Sequence, residues 1–100
     1  MRLTLAHRLT ALGLLPTEGS FVTLRIVRDA QHALSPSAEE IERFQIVQDG
    51  QQVRWVGDTT ADVVLSSAAM TLLKDALAKL DDAQTLTMAH VELADALAEG

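Results

Sequence analysis

The sequence predicts an α+β fold in which a small antiparallel sheet packs against helices, in the order ααα-βββ-αα. Apolar residues recur at helical spacing in segments 4–12, 20–33 and 66–80, which indicates helices with one buried face. Residues 44–56 carry an Asp-Gly pair between two runs of β-favouring residues, a pattern typical of a β-hairpin. Because the chain has 100 residues, 48% of them hydrophobic, we expect a single domain spanning 1–100 with one core.

Capping residues and chain breakers delimit the first two helices. Thr4 can cap a first helix that runs to about Leu12, because its hydroxyl can accept a hydrogen bond from a free backbone N–H group. A Gly and a Pro then interrupt the helical pattern. Ser20 or Thr17 begins the second helix, which we expect to reach about Ala33.

The third helix is short, and a strand is predicted further along the chain. Ser35 as cap and Pro36 at the first helical position predict a helix that ends near Arg43. The hairpin follows directly. Beyond it, the β-favouring segment 62–65 predicts a third strand that completes a sheet with the hairpin.

In the hairpin, Asp49 and Gly50 are predicted to form the two-residue loop of a type I′ turn. This register would place Ile46 opposite Val53. Because side chains alternate across a strand, one face of the hairpin would be apolar and would pack on the core. The side chains predicted on that face are Phe44, Ile46, Val53 and Trp55.

The last two helices carry the remaining apolar stripes. Ser66 or Ser67 caps a fourth helix through about Leu80, and Thr87 caps a fifth helix to about Ala98. The predicted core consists of Leu9, Leu12, Phe21, Ile26, Ile46, Val53, Trp55, Leu73, Leu77 and Val91. Small side chains on the last helix would allow another helix to approach closely, which raises the hypothesis of a homodimer. Those side chains are Ala89, Ala94, Ala96 and Ala98.

The charge distribution argues against nucleic acid as the main partner. The net charge is −6, and residues 57–100 account for all of it, with eight acidic residues against two lysines. Such a half repels phosphates and anionic membrane surfaces. No segment approaches the roughly 20 apolar residues of a membrane span, and the N-terminus lacks the pattern of a signal peptide. We expect a cytoplasmic protein that binds a protein partner or itself.

Three stretches of the chain resemble a group of small bacterial and phage-borne proteins. They are LTLAHRLTALGLLPTEGSFVTLRIVR, LSPSAEEIERFQIVQDGQQVRW and LKDALAKLDDAQTLTMAH. Members of the group are similar in a leucine-rich helix, LLP-x-x-G, a T-L-x-I-V-R helix, a Ser-capped E-E helix and a hairpin ending in Trp. The matching residues are caps, turns and core positions. The resemblance implies a bacterial or phage origin and carries no assigned activity, so it transfers no catalytic residues.

The side chains that could carry chemistry are better explained by structural roles. His7, His32 and His90 lie on three different predicted helices and lack the spacing of a zinc site. Serines fall at helix starts, where backbone N–H groups compete for their hydroxyls. The chain has no cysteine, which excludes thiolate chemistry. We therefore predict no catalytic, cofactor-binding or metal-binding residues, and no cofactor.

Three classes of function remain open. The first is a non-enzymatic protein-interaction or accessory module. The second is a nucleic-acid-associated regulator of winged-helix type, in which the hairpin would be the wing, although glutamates on the third helix oppose contact with DNA. The third is a small-molecule binding protein, which requires a cleft. The predicted binding surface consists of Arg25, Arg28, His32 and Arg54.

Overall fold

The computed structural model of the protein describes residues 1–99 and confirms the α+β class. The three predicted groups of elements occur in the predicted order, helices, then short strands, then helices, and one further strand precedes them. The elements are β1 (Arg2–Leu3), α1 (Leu5–Leu14), α2 (Phe21–Leu34), α3 (Ala38–Arg43), β2 (Val47–Asp49), β3 (Gln52–Arg54), β4 (Ala61–Asp62), α4 (Ser67–Asp82) and α5 (Met88–Glu99).

Most helix starts follow from the predicted caps. The hydroxyls of Thr4, Ser20 and Ser66 each accept a hydrogen bond from a backbone N–H in the first turn of their helix. The predicted start of α3 at Ser35 is wrong. Ser37 is the cap, because it exchanges hydrogen bonds with Glu40: the Ser37 hydroxyl accepts from the Glu40 N–H, and the Glu40 carboxylate accepts from the Ser37 N–H, each at 3.1 Å.

The predicted three-stranded sheet is instead two separate two-stranded sheets. β4 pairs with β1, where Leu3 lies opposite Ala61, and β2 pairs only with β3. The backbone of Met1 extends the first pairing through two hydrogen bonds with Val63, at 3.0 and 2.7 Å. Leu3 and Val63 are both buried in the core. β4 therefore joins the N-terminal segment because that pairing inserts Leu3 of β1 and Val63, the residue after β4, into the core.

The hairpin forms, but its register differs from the prediction by two residues. Gln48 lies opposite Val53, so the loop consists of Gly50 and Gln51 rather than Asp49 and Gly50. Gly50 has φ +62°, as a turn with glycine at its first central position requires. Because a strand repeats every two residues, this shift leaves the apolar face intact. Val53, Ile46 and Trp55 are half-buried, whereas their neighbours Gln52, Arg54 and Val56 are exposed.

Phe44 does not pair with Trp55 as predicted. It ends α3 as the C-terminal cap, and its carbonyl accepts a hydrogen bond from the Val56 N–H at 2.8 Å. The next residue, Gln45, has φ +51°, so the backbone turns sharply before the strand begins. The apolar side of the hairpin therefore consists of three residues rather than four.

The core is formed by aliphatic residues of all the long helices and by the β1–β4 sheet. Among the predicted core residues, Leu73 is fully buried, and Leu9, Leu12, Ile26 and Leu77 are partly buried. Ile46, Val53 and Trp55 are half-buried but lie outside the central cluster, so the prediction that the apolar face of the hairpin packs on the core is wrong. The buried apolar residues are Leu3, Leu5, Ala11, Leu15, Val27, Ala30, Leu34, Val63, Ala69, Leu73, Leu93 and Leu97.

The core predictions for Phe21 and Val91 are also wrong, because their side chains are 84% and 43% exposed. On α2 the buried face is defined by Val27, Ala30 and Leu34, and Phe21 lies on the opposite side of the helix. On α5 the buried face is defined by Leu93 and Leu97. The helical period of 3.6 residues therefore turns both side chains away from the core.

Candidate interaction surfaces

The exposed side of α2 carries two apolar side chains followed by three basic ones. Phe21, Arg25, Arg28 and His32 are separated by three or four residues, so they line up along one side of the helix, and Leu24 flanks them. Within the described residues 1–99, Arg25 forms no ion pair, and Arg28 contacts only its neighbour Asp29, with Nε 3.9 Å from Oδ1. We call this surface the α2 ridge; it consists of Phe21, Leu24, Arg25, Arg28 and His32.

The predicted binding surface is thus divided between two parts of the fold. Arg25, Arg28 and His32 share the α2 ridge, but Arg54 lies on β3. The Arg54 guanidinium forms an exposed ion pair with Asp49 within the hairpin. α2 packs on α1 and α4 and makes no comparable contact with the hairpin. A surface that includes Arg54 stays a prediction, whereas the α2 ridge is a continuous feature of the structure.

A groove of about 280 Å³ runs between α4 and α5. Its floor is apolar, with Leu77 from α4, Leu86 from the connecting segment, and Val91 and Ala94 from α5. We call it the α4–α5 groove; its lining residues are Leu77, Ala78, Asp81, Leu86, His90, Val91, Ala94 and Asp95. Sequence reasoning missed this groove because it is formed by the partial separation of two helices, which a one-dimensional pattern does not specify.

The groove is lined and flanked by exposed apolar side chains and by acidic ones. Val91 is 43% exposed, and Met88, which lies one turn before it on α5, is 72% exposed. The charged side chains that line the groove are both acidic, Asp81 on α4 and Asp95 on α5. Neither forms an ion pair within the part of the chain that the structure describes, residues 1–99. The surface therefore offers unpaired negative charge around an apolar floor.

The alanines predicted for close helix approach do not form one free face. Ala96 packs against the core, and Ala94 lines the groove. Ala89 and Ala98 are exposed. The four alanines therefore do not share one exposed face, and a dimer formed through them stays a prediction.

His90 lines the groove and also contacts the residue that precedes α5. Its Nδ1 accepts a hydrogen bond from the Thr87 N–H at 3.0 Å, so the proton of the neutral ring is on Nε2. α1 begins in the same way, since the Thr4 N–H donates to Nδ1 of His7 at 3.2 Å. The repeated signal T-x-A-H at 4–7 and 87–90 identifies both helix starts. These two histidines are therefore capping residues.

A second, larger cleft lies on the other side of α4. It has a volume of about 610 Å³ and is bordered by the C-terminal end of α1. Asp75, Lys79 and His90 supply its polar lining. We call it the α1–α4 cleft; the lining residues are Gly13, Leu14, Pro16, Leu72, Asp75, Ala76, Lys79, Leu80 and His90.

The most buried charge in the described chain belongs to Arg8, whose side chain is 2% exposed. It donates two parallel hydrogen bonds to the Glu40 carboxylate, at 3.1 and 2.7 Å, and a third to the Thr59 carbonyl at 3.2 Å. The Thr59 hydroxyl in turn accepts from the Leu5 N–H at 2.9 Å. This cluster joins α1, α3 and the segment before β4, and the guanidinium Nε has no hydrogen-bond partner within the described residues 1–99.

The arginine also sets the ionisation of its partner. The hydrogen bonds from Arg8 lower the pKa of the Glu40 carboxyl from its usual 4.5, and the Ser37 N–H assists, while partial burial acts in the opposite direction. In the neighbouring loop, hydrogen bonds from the Thr60 side chain and backbone lower the pKa of Asp58. Both carboxylates therefore accept hydrogen bonds that stabilise the local fold.

Across residues 1–99, no group of three or more His, Asp or Glu side chains is arranged to hold a metal ion. None of the helices described is long and apolar enough to cross a bilayer. No protein-family model matches the chain, and no curated protein or solved structure matches it.

Proposed function

We propose that this protein is a non-enzymatic protein-interaction module whose α4–α5 groove receives an amphipathic helix with a cationic polar face. The observation that carries the proposal is the groove itself, with an apolar floor and unpaired aspartates on both sides. Helix-in-groove recognition depends on apolar anchors spaced along one face of the bound helix, and charges at the edges set orientation and specificity.

The groove is small and lined mainly by apolar side chains, with a volume of about 280 Å³. A few apolar side chains of a helix would fill it. Binding would also cover Met88 and Val91, which are exposed in the isolated chain and would lose contact with water.

The proposal can be tested by titrating the isotopically labelled protein with a synthetic amphipathic helix of leucine and lysine, monitored by NMR amide shifts. We expect the shifts to cluster on α4 and α5 around Ala78, Asp81 and Ala94. A matched helix of leucine and glutamate should bind at least about tenfold more weakly, because like charges would meet across the edges.

Two variants distinguish specific binding of the helix in the groove from nonspecific apolar association. Val91→Glu places a charge on the groove floor and should weaken binding of the Leu/Lys helix at least tenfold, about 1.4 kcal/mol. Val64→Glu is the control, because Val64 is 87% exposed and lies outside the groove. Equal binding by both variants, or equal binding of the Leu/Glu helix, would contradict the proposal.

A second candidate function is small-molecule binding in the α1–α4 cleft. The cleft volume of about 610 Å³ lies within the range of ligand pockets, and Asp75, Lys79 and His90 offer polar contacts beside apolar walls. A fragment screen by NMR tests it. Hits should shift amides near Gly13 and Ala76, and Ala76→Trp, which would fill the cleft, should remove them. Hits that persist in that variant would contradict this function.

A further inference from the structure

The α2 ridge and the α4–α5 groove have complementary chemistry. The ridge carries an exposed aromatic side chain, Phe21, followed one turn later by Arg25 and then by Arg28. The groove is lined by apolar side chains together with Asp81 from α4 and Asp95 from α5. A surface with an aromatic anchor and arginines has the composition that protein interfaces favour.

The two surfaces do not meet within one molecule. The groove is lined only by α4, α5 and the segment that connects them, as far as residues 1–99 show. The ridge lies on the side of α2 opposite Val27, Ala30 and Leu34, the residues that bury α2 against the rest of the fold. Any contact between ridge and groove therefore requires a second copy of the chain.

We propose that the α2 ridge of one copy docks in the α4–α5 groove of a second copy, with Phe21 on the apolar floor and Arg25 and Arg28 against the acidic edges. The proposal rests on the proposed function, because it names the helix that the groove receives. The positions of the two arginines on α2 support the proposal. Arg25 and Arg28 lie on either side of the line that passes through Phe21, so they can reach opposite edges of a groove that holds the phenyl ring.

The charges give a second argument that the α2 ridge of another copy binds in the α4–α5 groove. Arg25 and the two aspartates form no ion pairs within the described chain, and Arg28 has only an exposed contact with its neighbour. Residues 57–100 carry eight acidic residues and two lysines, so their surface repels most acidic partners and attracts arginines. A head-to-tail contact of this kind closes as a ring or a reciprocal dimer, or else grows as a chain.

Sedimentation velocity on charge-reversed full chains tests the proposal. The ridge-reversed variant is Arg25→Glu with Arg28→Glu, and the groove-reversed variant is Asp81→Lys with Asp95→Lys. The wild-type protein should associate as its concentration rises from about 10 µM to about 1 mM. Each variant alone should associate at least about tenfold more weakly, because like charges meet at its contact.

An equimolar mixture of the two variants should regain association, because every contact between unlike copies again joins opposite charges. Thermal melts of each variant check that the fold is retained, and exposed substitutions of this kind usually change stability by little. Wild-type protein that stays monomeric up to about 1 mM overturns the proposal. Association that the mixture fails to restore also overturns it. Binding of the Leu/Lys helix by a monomeric protein would leave the proposed function intact.

Discussion

Replacing Glu40 by glutamine should strongly destabilise the fold, although glutamine has nearly the same shape. The Arg8 guanidinium is 2% exposed and donates two of its hydrogen bonds to the Glu40 carboxylate. Glu40→Gln removes the one negative charge that pairs with this buried cation within residues 1–99. Breaking one side of a buried ion pair costs about 3–5 kcal/mol. Because the Glu40 side chain is still 23% exposed, we take the lower end, about 3 kcal/mol.

Urea denaturation followed by circular dichroism and by the fluorescence of the single tryptophan measures this loss. A cost of about 3 kcal/mol corresponds to a fall in Tm of about 12–24 °C for a chain of this size. Glu39→Gln is the matched control, since Glu39 is exposed in the first turn of the same helix and should change the free energy of unfolding by less than about 0.5 kcal/mol.

The pH dependence supplies an independent check on the same pair. The pKa of Glu40 is lowered in the folded protein from its usual 4.5, so its contribution to stability is complete above 4.5. That contribution disappears as the pH falls through the lower folded value. The difference between wild type and Glu40→Gln should therefore be full at about pH 7 and should shrink as the pH falls below 4.5 and through the lowered pKa of Glu40. An equal loss for Glu40→Gln and Glu39→Gln, or a difference that persists in acid, would refute the reasoning.

Two further pairs of substitutions test the helix caps and the core. Thr4→Ala removes the hydroxyl that accepts a hydrogen bond from the His7 N–H and should lower the free energy of unfolding by about 1 kcal/mol. Thr10→Ala, within α1, should leave stability unchanged or raise it slightly. Equal losses in thermal melts would contradict the capping role of Thr4. Leu73→Ala should lower the free energy of unfolding, measured by urea denaturation, by about 2–5 kcal/mol because Leu73 is fully buried. Phe21→Ala should change it by less than about 0.5 kcal/mol. A large loss for Phe21→Ala would contradict the exposed position of Phe21.

Local signals in the sequence predicted the elements but not all of their partners. Thr4 and Ser20 were predictable caps because capping depends on residues within one helical turn. β1 was not predicted. It is two residues long, and the contact that extends it joins Met1 to Val63, 62 positions away in the chain. Pairing at that distance is decided by what the core can bury, which local patterns do not contain.

The hairpin shows the same division between local and tertiary information. Its apolar face was predictable because a strand alternates with a period of two residues. Its register was not, since both Asp49-Gly50 and Gly50-Gln51 place a glycine in the loop, and the observed φ of Gly50 fits its place at the start of the turn.

The candidate surfaces were only partly predictable. Arg25, Arg28 and His32 share a face by helical spacing alone, and the structure confirms that this face is exposed. Phe21 is four residues before Arg25, so the same spacing contained the evidence against placing it in the core. The burial of Arg8 had no signal in the sequence, because it depends on how α3 meets α1.

The contact between the α2 ridge and the α4–α5 groove can be measured directly by paramagnetic broadening between copies. The chain has no cysteine, so Glu18→Cys gives a single site for a spin label just before α2. Labelled protein is mixed with unmodified, isotopically labelled protein, so that only contacts between copies broaden the amide signals. We predict broadening centred on the groove, around Ala78 and Ala94. Absence of broadening at high concentration, or broadening centred on the hairpin, would contradict the account.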